Sequence, residues 1–337
     1  LPQINPFTGQ ATQIVKMENN QWAVIVGNGY NSSGGKAVLY VLFMAGGEDG
    51  TWTVGTDYIK LVADSGTGNG LSTPTPFDKN GNGLVDVIYA GDIKGNLWKF
   101  DVSSSTPSSW NVAIGGLPLF VSGTTKPIIS PPAVSFHPKK GQLIMFGTGK
   151  YLETADTTNT STQSIYGLWD LNTPATITAG MLVQQVMTDA TVRTATQNQV
   201  TYSDTIKGWY INLPVSGERI TGVPMLEDGI LLFTTIVPSA SPCDFGGRGF
   251  ANALDFLTGS MLAFPAFDIN RNRVLSLDDG LSAGVEIGFS VGGGTRIRGS
   301  ADDLLVSSRA DGTLVQTTTA KGYTGLRGRI TWREFIQ

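Results

Sequence analysis

The segment from Phe77 to Asp101 contains residues whose types and spacing are suited to binding a hard cation. Side chains with oxygen atoms recur at alternate positions, a glycine follows them, and an aspartate comes three residues after that glycine. A calcium loop uses oxygen ligands at positions 1, 3, 5 and 9 and a carbonyl at position 7, with glycine at position 6 for the sharp turn. The sequence therefore predicts a calcium site built from Asp78, Asn80, Asn82, the Leu84 carbonyl and Asp86, with Gly83 at the turn.

This loop differs from an EF-hand, because Tyr89 stands at position 12, where a bidentate acid belongs. Asp86 leads directly into the apolar stretch VDVIYAG, which predicts a strand, so its carboxylate is expected to tie the loop to rigid structure. Only Asp78 and Asp86 are charged, and we expect a weak site with a dissociation constant of about 10⁻⁵ to 10⁻³ M. The alternative is a plain turn, because Asp, Asn and Gly tolerate left-handed conformations. The spacing of Gly83 and Asp86 favours calcium.

A second segment, FDINRNRVLSLDDG, carries a variant of the same pattern. Its weakness is position 6, where Arg273 replaces the glycine that the sharp turn normally requires and brings a positive charge close to the cation. A surface turn is the favoured interpretation of this segment, and a second calcium site is the alternative. The candidate ligands, at positions 1, 3, 5, 7, 9 and 12, are Asp268, Asn270, Asn272, the Val274 carbonyl, Ser276 and Asp279.

The chain contains one histidine, His137, and one cysteine, Cys243. A zinc site needs three or four ligands, and a Cys–His nucleophile would have to combine these two residues, so neither is expected and no catalytic residue is predicted. His137 is interpreted as a hydrogen-bonded loop residue. Cys243 is either a small buried residue or a thiol that pairs with polypeptide outside this sequence. A net charge of −4 argues against a nucleic-acid surface, which needs a clustered basic excess.

No apolar run approaches the roughly 18 residues of a membrane span. The longest one, from Gly229 to Pro238, includes two threonines and predicts a buried strand. The sequence starts at Leu1 with neither a methionine nor a basic-then-apolar signal. We therefore expect it to be an excised fragment or the mature region of a longer protein.

The composition is typical of an all-β protein, with 43 glycines, many Thr, Ser, Val and Ile residues, and only 15% charged residues. An apolar strand that ends in a small residue, followed by a strand with an aromatic or large apolar residue, recurs in segments starting near Gln21, Ser72, Pro127, Gly222 and Arg296. Repetition every 45 to 75 residues or so, with long polar insertions, predicts a β-propeller. We expect about seven irregular four-stranded blades in a single domain spanning residues 1–337. A β-sandwich or a pair of β domains is the alternative.

Several stretches, taken in order, resemble the C-terminal domain of the PilY/PilC family of type IV pilus proteins. They are VGNGYNSSGGKAVLYV, FDKNGNGLVDVIYAGDIKGNLWKFD, FGTGKYLETAD followed by QSIYGLWD, GWYINLPVSGERI, PCDFGG and a terminal RGRITWREF. Together they extend over nearly the whole chain. The resemblance implies a C-terminal β-propeller that follows a variable N-terminal region absent from this sequence.

The same resemblance implies a non-enzymatic, calcium-binding pilus biogenesis factor and tip-associated adhesin that supports twitching motility and attachment. In that family a calcium loop on the propeller governs the balance between pilus extension and retraction. The matching positions here are Asp78, Asn80, Asn82, Leu84 and Asp86. The implied partners are pilus subunits or minor pilins, the protein's own N-terminal region, and a host-cell or abiotic surface. The implied location is the bacterial cell surface, at the pilus tip or the outer membrane.

A second function class stays open. The stretch AGDIKGNLWKFD, from Ala90 to Asp101, also resembles the strand-turn-strand repeat of quinoprotein dehydrogenase propellers, which hold pyrroloquinoline quinone and calcium on the axis. Such an enzyme should repeat the motif in most blades and add a catalytic acid near an arginine or lysine. The motif occurs cleanly once in this chain, which favours the non-enzymatic interpretation.

Overall fold

The computed structural model describes residues 13–172, 175–239, 247–288, 294–298, 302–309 and 312–321. Within these ranges the secondary structure consists of β-strands and short 3-10 turns, without an α-helix, which confirms the all-β prediction. Cys243 and the terminal RGRITWREF segment lie outside the described residues. The 3-10 turns are Pro107–Ser109, Ile114–Gly116, Thr154–Thr158, Ala179–Met181 and Leu277–Asp279.

The strands form sheets that follow one another along the chain. The first sheet contains, in spatial order, β1 (Gln13–Lys16), β2 (Trp22–Gly27), β3 (Ala37–Phe43) and β4 (Tyr58–Asp64). The second contains β5 (Thr75–Phe77), β6 (Val87–Gly91), β7 (Asn96–Asp101) and β8 (Asn111–Val112), with β9 (Phe120–Val121) also paired to β7.

The third sheet has the spatial order β10 (Ala133–Phe136), β11 (Gln142–Gly147), β12 (Ser164–Asp170), β15 (Gly208–Asn212) and β13 (Leu182–Val186). The fourth has the order β14 (Val192–Arg193), β19 (Gly284–Glu286), β18 (Gly247–Asp255), β17 (Ile230–Pro238) and β16 (Met225–Glu227). The fifth contains β20 (Gly294–Ile297), β21 (Asp303–Ser308) and β22 (Leu314–Thr319). Strand β13 runs parallel to β15, whereas the consecutive strands within each sheet pair antiparallel.

The described residues form five sheets, fewer than the seven or so blades expected, and these sheets have three to five strands. The five repeated segments of the sequence correspond to them one to one. The expected number accompanied an irregular repeat, and long polar insertions lengthen existing sheets instead of building new ones. The insertion at 171–207, for example, adds β13 to the third sheet and β14 to the fourth.

Consecutive sheets pack face to face because side chains alternate across each strand. In β6, Val87 and Tyr89 pack with Phe146 of the third sheet, whereas Ile88 and Ala90 pack toward the first sheet. All five side chains are fully buried. Both faces of the middle sheets are therefore apolar, which explains why their strands are apolar at successive positions.

Four apolar cores connect the sheets in chain order. They lie between the first and second sheets, the second and third, the third and fourth, and the fourth and fifth. The assignment of residues 1–337 to a single domain stays a prediction, and this continuous packing supports it.

Asp170, the last residue of β12, joins the third sheet to the second through a buried charge. Its side chain is fully buried, and the Nζ atom of Lys99 lies 2.6 Å from its Oδ2 atom. The hydroxyl of Tyr89 donates to the same oxygen at 2.7 Å. Burial, together with the negative charge of Asp170, raises the pKa of Tyr89, so this hydroxyl keeps its proton and remains a donor.

Arg193 anchors the 171–207 insertion to the fourth sheet. Its Nη1 and Nη2 atoms contact Oε1 and Oε2 of Glu218 at 2.6 and 2.9 Å, and both side chains are fully buried. The guanidinium lies 3.3 Å from the ring centroid of Phe250, and the Thr235 hydroxyl donates to Glu218 Oε1 at 2.5 Å. The pair is therefore bidentate, stacked and supported by a further donor.

His137 is buried between two aromatic rings, with 6% of its surface exposed. Its ring centroid lies 4.7 Å from that of Trp169 and 4.4 Å from that of Tyr202. The Nδ1 atom accepts a hydrogen bond from the N–H of Lys139 at 3.1 Å. Burial, with a smaller contribution from the Lys139 charge, lowers the pKa of His137 to about 4.

This lowered pKa predicts acid sensitivity. The folded state resists protonation of His137, so its stabilising contribution is complete above the unfolded pKa of about 6.5 and declines as the pH falls towards 4. We expect the free energy of unfolding to fall by about 1 kcal/mol between pH 7 and pH 5, allowing for solvent screening. Urea titrations at both pH values measure it. The variant His137→Asn keeps an acceptor for Lys139 but does not titrate, so an undiminished acid loss in that variant would contradict the assignment.

Candidate metal centre

The loop 78–86 connects β5 to β6 and is fixed at both ends by backbone pairing. Pro76 pairs with Ile88 and Phe77 with Val87 in the antiparallel ladder. The N–H of Asp86 donates to the carbonyl of Phe77 at 3.1 Å. The two strands therefore close the neck of the loop, and its first and last carboxylates start from a rigid base.

Asp78 organises the turn by accepting backbone hydrogen bonds. Its Oδ1 atom accepts from the N–H of Asn80 at 3.1 Å and of Gly81 at 2.7 Å. Its Oδ2 atom accepts from the N–H of Gly83 at 2.7 Å. Gly81 and Gly83 have φ angles of 76° and 85°, which favour glycine. Gly83 thus has the left-handed conformation expected at position 6 of a calcium loop.

The two asparagines continue the same local pattern. The Oδ1 atom of Asn80 accepts from the N–H of Asn82 at 3.0 Å, and the Oδ1 atom of Asn82 accepts from the N–H of Leu84 at 2.8 Å. The Nδ2 atom of Asn82 donates to Oε1 of Glu18 at 3.2 Å. These Asx turns fix the side chains at alternate positions of the loop.

Asp86 is the most informative residue of the loop, because it is a carboxylate with only 4% of its surface exposed. Its Oδ2 atom accepts from the N–H of Lys79 at 2.6 Å, and its Oδ1 atom accepts from Nδ2 of Asn80 at 3.2 Å. Among the ion pairs of the described residues, none involves Asp86. A buried carboxylate without a counter-charge is unfavourable, and a divalent cation would supply that charge.

The second candidate loop, between β18 and β19, repeats three of these contacts at matching positions. The Oδ1 and Oδ2 atoms of Asp268 accept from the N–H groups of Asn272 at 3.2 Å and Arg273 at 2.7 Å. The Oδ1 atom of Asn270 accepts from the N–H of Asn272 at 3.0 Å. The Oδ1 atom of Asn272 accepts from the N–H of Val274 at 2.8 Å. The turn therefore resembles the one formed by residues 78–84, with a different partner for the Oδ1 atom of the first aspartate.

Arg273 has a φ angle of 69°, which is the left-handed conformation that glycine would take at position 6. A non-glycine residue adopts this conformation at a cost of about 1–2 kcal/mol. The argument from the sequence against a calcium site in this loop was the missing glycine. Because Arg273 adopts the required conformation, the steric part of that argument does not hold. The positive charge of Arg273 near the proposed ligands remains.

Asp279 closes the second loop in the way that Asp86 closes the first. Its carboxylate oxygens accept from the N–H groups of Ile269 at 2.9 Å, Asn270 at 3.2 Å and Ser276 at 2.9 Å. Burial pushes the pKa of this carboxyl upward, but the backbone donors outweigh burial and hold the pKa below its usual value. Asp279 is therefore ionised at neutral pH. The Ser276 hydroxyl accepts from the N–H of Asp279 in the 3-10 turn that follows.

Two acidic residues near these loops were not predicted from the sequence. Glu18 contacts Asn82 although 64 positions separate them. Asp302 accepts from the N–H of Leu275 at 3.4 Å across 27 positions. Their proximity follows from sheet packing, and no local spacing pattern in the sequence could have indicated it.

Carboxylates alone do not complete either candidate site. No group of three or more His, Cys, Asp or Glu side chains able to hold a metal ion occurs among the residues that the structure describes. The remaining ligands would be amide, hydroxyl and carbonyl oxygens, a donor set that suits a hard cation such as Ca²⁺ and does not suit zinc.

The quinoprotein-like stretch after the first loop stabilises the turn between β6 and β7. Asp92 is fully buried. Its carboxylate accepts hydrogen bonds from the N–H of Asn96 at 2.9 Å, from Nε1 of Trp98 at 2.8 Å and from Nδ2 of Asn69 at 2.8 Å. These contacts close the turn between β6 and β7 and attach it to the loop before β5. The motif therefore explains local folding without a bound cofactor.

Packed all-β sheets with oxygen-rich loops at their strand ends define a propeller-type domain with candidate calcium loops. A family model described as the PilY1 beta-propeller domain matches residues 6–203. The chain belongs to this family of type IV pilus biogenesis factors, as the sequence motifs predicted. The β-propeller prediction is confirmed as well.

Individual relatives agree with this assignment. The type IV pilus biogenesis factor PilY1 of Pseudomonas aeruginosa is 34% identical over 312 residues, covering 78% of this chain and 26% of that protein. A PilY1 homolog of Xylella fastidiosa is 34% identical over 282 residues, covering 75% of this chain and 19% of that protein. The chain thus spans about a quarter or less of the length of these relatives.

A solved structure shares the fold over nearly the whole chain. The crystal structure of the Pseudomonas aeruginosa PilY1 C-terminal domain matches with a TM-score of 0.76 and 29% sequence identity. The match covers 95% of this chain and 74% of the solved one. Among the residues described here, no helix has the length and hydropathy required to cross a bilayer.

Proposed function

We propose that this domain is the calcium-responsive part of a type IV pilus biogenesis factor and tip-associated adhesin. In this role it regulates pilus extension and retraction, and through them twitching motility and surface attachment. The observation that supports calcium most directly is Asp86, a buried carboxylate next to a loop of oxygen donors and without an ion-pair partner among the described residues.

The chain's own residues would bind the ion in a defined division of roles. Asp78 and Asp86 neutralise the divalent charge, while Asn80, Asn82 and the Leu84 carbonyl supply neutral oxygens. Because Asp86 directly precedes β6, binding would fix the loop to the second sheet. The bridge between Met17 and Val85 also brings the loop beside the first sheet. Calcium would therefore order the loop beside the first and second sheets and leave the fold unchanged.

The second loop, Asp268 to Asp279, is proposed as a weaker calcium site. Asp268, Asn270, Asn272, the Val274 carbonyl, Ser276 and Asp279 are its candidate ligands. The matching backbone contacts of the two loops support the proposal. The charge of Arg273 would lower the affinity relative to the first loop.

Membership of the family supports a proposal for partners and location. We propose contacts with pilus subunits or minor pilins, with the protein's own N-terminal region, and with a host-cell or abiotic surface. These contacts would take place at the bacterial cell surface, at the pilus tip or the outer membrane, after export through the periplasm.

Calcium binding is tested by replacing the buried ligand. We expect Asp86→Asn to weaken calcium binding at the first loop by about tenfold or more, because it removes one of two carboxylates. Isothermal titration calorimetry of the purified domain measures it. Asp101→Asn is the matched control, since Asp101 lies on the same sheet and contacts Ser103 outside the loop. Equal affinity of Asp86→Asn and the unchanged protein would exclude the first loop as the site.

The pilus role is tested in cells. A strain carrying Asp86→Ala should differ from the parent in surface pili or twitching, and it should also differ from a strain in which the gene is deleted. A strain with Asp101→Asn should behave like the parent. Normal pili and normal twitching with Asp86→Ala would refute a regulatory role for this loop.

The quinoprotein alternative has one supporting feature, the stretch around Asp92 and Trp98, whose contacts have the structural explanation given above. We propose that the domain is not an enzyme, which agrees with relatives that are pilus biogenesis factors. A visible absorbance spectrum with a dye-linked alcohol oxidation assay separates the two functions. Quinone absorbance with turnover would favour the dehydrogenase.

A further inference from the structure

Four asparagines of this chain are followed directly by glycine, and two of them lie in the first candidate loop. The four are Asn28, Asn69, Asn80 and Asn82. Asparagine is among the chemically labile residues of proteins. It is most labile before glycine, because glycine has no side chain to shield its own backbone nitrogen or to restrict its backbone. Every other asparagine of the chain precedes a residue with a side chain, so these four positions are the labile ones.

The reaction open to such a pair is deamidation, and its atoms balance without a cofactor. The glycine nitrogen forms a bond to the asparagine Cγ atom, and the side-chain nitrogen leaves as ammonia with the proton that the glycine nitrogen gives up. Solvent water then opens the resulting succinimide ring at either carbonyl carbon. One product is aspartate, and the other is isoaspartate, in which the backbone runs through the side-chain carbon. Both products replace a neutral amide by a carboxylate.

The two pairs outside the loop are held by contacts with distant segments. Asn69 is 1% exposed, and its Nδ2 atom donates to the buried carboxylate of Asp92 at 2.8 Å. The Oδ1 atom of Asn28 accepts from the N–H groups of Val38 and Leu71, each at 3.0 Å. Neither side chain is able to rotate towards the following glycine without breaking these contacts. We therefore expect both pairs to react slowly.

The two pairs in the first loop are exposed to water. Asn80, Gly81, Asn82 and Gly83 all belong to the exposed class of residues. A Cβ atom placed on either glycine would meet no heavy atom of the described residues within 4 Å, apart from its chain neighbours. Outside the loop, Asn82 donates to Glu18 through a contact of 3.2 Å. The loop therefore has both the space and the water that ring formation and ring opening require.

The second candidate loop provides a comparison within the same chain. Its asparagines precede arginines, in the pairs Asn270–Arg271 and Asn272–Arg273. These arginines have φ angles of 60° and 69°, close to the 76° and 85° of the two glycines in the first loop. The two loops therefore share the backbone conformation after each asparagine and differ in the side chain that follows it. We expect the second loop to resist deamidation.

Asp78 connects this reaction to calcium. Its carboxylate accepts from the N–H groups of Gly81 and Gly83, each at 2.7 Å, so both attacking nitrogens are held while the loop is closed. The Oδ1 atoms of Asn80 and Asn82 are also held, by backbone N–H groups. Ring formation therefore requires the loop to open locally. A cation that binds these oxygens in the closed loop would oppose the opening.

We propose that Asn80 and Asn82 are sites of spontaneous deamidation, and that calcium bound in the first loop suppresses the reaction. The inference rests on the proposed function for the effect of calcium, whereas the deamidation itself does not depend on it. Conversion of Asn82 to aspartate adds a third carboxylate to Asp78 and Asp86 and raises the affinity for calcium. Isoaspartate lengthens the backbone by one atom and disturbs the ligand spacing. The loop thus records time spent without calcium as added negative charge.

Peptide mapping of the unchanged protein tests the proposal. The purified chain is incubated at neutral pH with a chelator or with calcium, and mass spectrometry follows aspartate and isoaspartate at each asparagine. With chelator, Asn80 and Asn82 should react at least about tenfold faster than Asn28 and Asn69, which are held by the fold. Calcium at about ten times its dissociation constant should slow both loop positions about tenfold, because the open loop must first release the ion.

The matched variant transfers the reaction to the second loop. Arg271→Gly combined with Arg273→Gly should make Asn270 and Asn272 react in chelator at a rate similar to that of the first loop. Glycine fits the positive φ angles at both positions, so the turn should persist. Asn270 and Asn272 should stay intact in the unchanged protein. Stability of both asparagines in the variant would overturn the argument from the residue that follows them.

The calcium effect is separated from the proposed function by calorimetry. Asn82→Asp should bind calcium about tenfold more tightly than the unchanged protein, because it adds a charged ligand. Intact Asn80 and Asn82 after incubation with chelator would overturn the inference and leave the proposed function untouched. Equal reaction rates with and without calcium, in a protein that binds calcium by calorimetry, would overturn calcium control alone. Equal rates without any calcium binding would overturn the proposed calcium site as well.

Discussion

Replacing Arg193 by methionine is expected to lower the free energy of unfolding by about 3–5 kcal/mol, because it leaves the carboxylate of Glu218 buried without its charge partner. Both side chains are fully buried, and the two Nη–Oε contacts are 2.6 and 2.9 Å long. The substitution also removes the stacking on Phe250. Guanidinium chloride titrations of the purified domain at pH 7 measure the loss.

Two variants separate the buried pair from general damage. Arg248→Met breaks a pair with Glu286 that is also near Phe250, but the Arg248 side chain is 43% exposed, so we expect a loss below about 1 kcal/mol. The double variant Arg193→Met with Glu218→Leu should recover most of the loss, because no buried charge is left. An Arg193→Met loss as small as that of Arg248→Met would contradict the prediction.

Replacing Asp170 by alanine should have an effect of similar size, about 3–5 kcal/mol, since Lys99 would keep its charge in a buried position without a partner. The Lys99 side chain is 7% exposed and lies 2.6 Å from the Asp170 carboxylate. The Tyr89 hydroxyl would also lose its acceptor. Because Tyr89 and Lys99 lie on the second sheet and Asp170 on the third, thermal and chemical unfolding should both report the loss.

The variant Asp170→Asn keeps an acceptor for Tyr89 but removes the negative charge. Its loss in free energy of unfolding should therefore lie between zero and that of Asp170→Ala. Asp64→Ala is the surface control. Asp64 pairs with Lys94 at 2.9 Å, where the side chains are 24% and 34% exposed, and the expected loss is below about 1 kcal/mol. Equal losses in Asp170→Ala and Asp64→Ala would show that burial of the Lys99 pair has little energetic weight.

Local patterns in the sequence were sufficient to predict the strands and the turn geometry of the first loop. The stretch VDVIYAG became β6, and Gly83 took the left-handed conformation that its position requires. Both depend on interactions within a few residues. The five repeated segments likewise correspond to the five sheets, because each repeat encodes its own strands.

Contacts between distant residues could not be predicted in the same way. Lys99 and Asp170 are 71 positions apart, and Glu18 reaches Asn82 only because the first two sheets pack together. Arg193 was not recognised, because nothing in the insertion indicates that it folds back onto Glu218. In the sequence, Arg273 argued against the second loop because arginine disfavours positive φ angles. The folded chain nevertheless holds Arg273 in the conformation that glycine would take.

Alternating burial has a mechanical consequence for this array of sheets. Val87 and Ile88 are neighbours in the chain, but they belong to the cores on opposite sides of β6. A force that separates the first two sheets would open the core that contains Ile88. The core that contains Val87, between the second and third sheets, would stay packed. Under traction the domain would therefore yield one interface at a time, and its extension trace would show steps of about 60 residues instead of a single rupture.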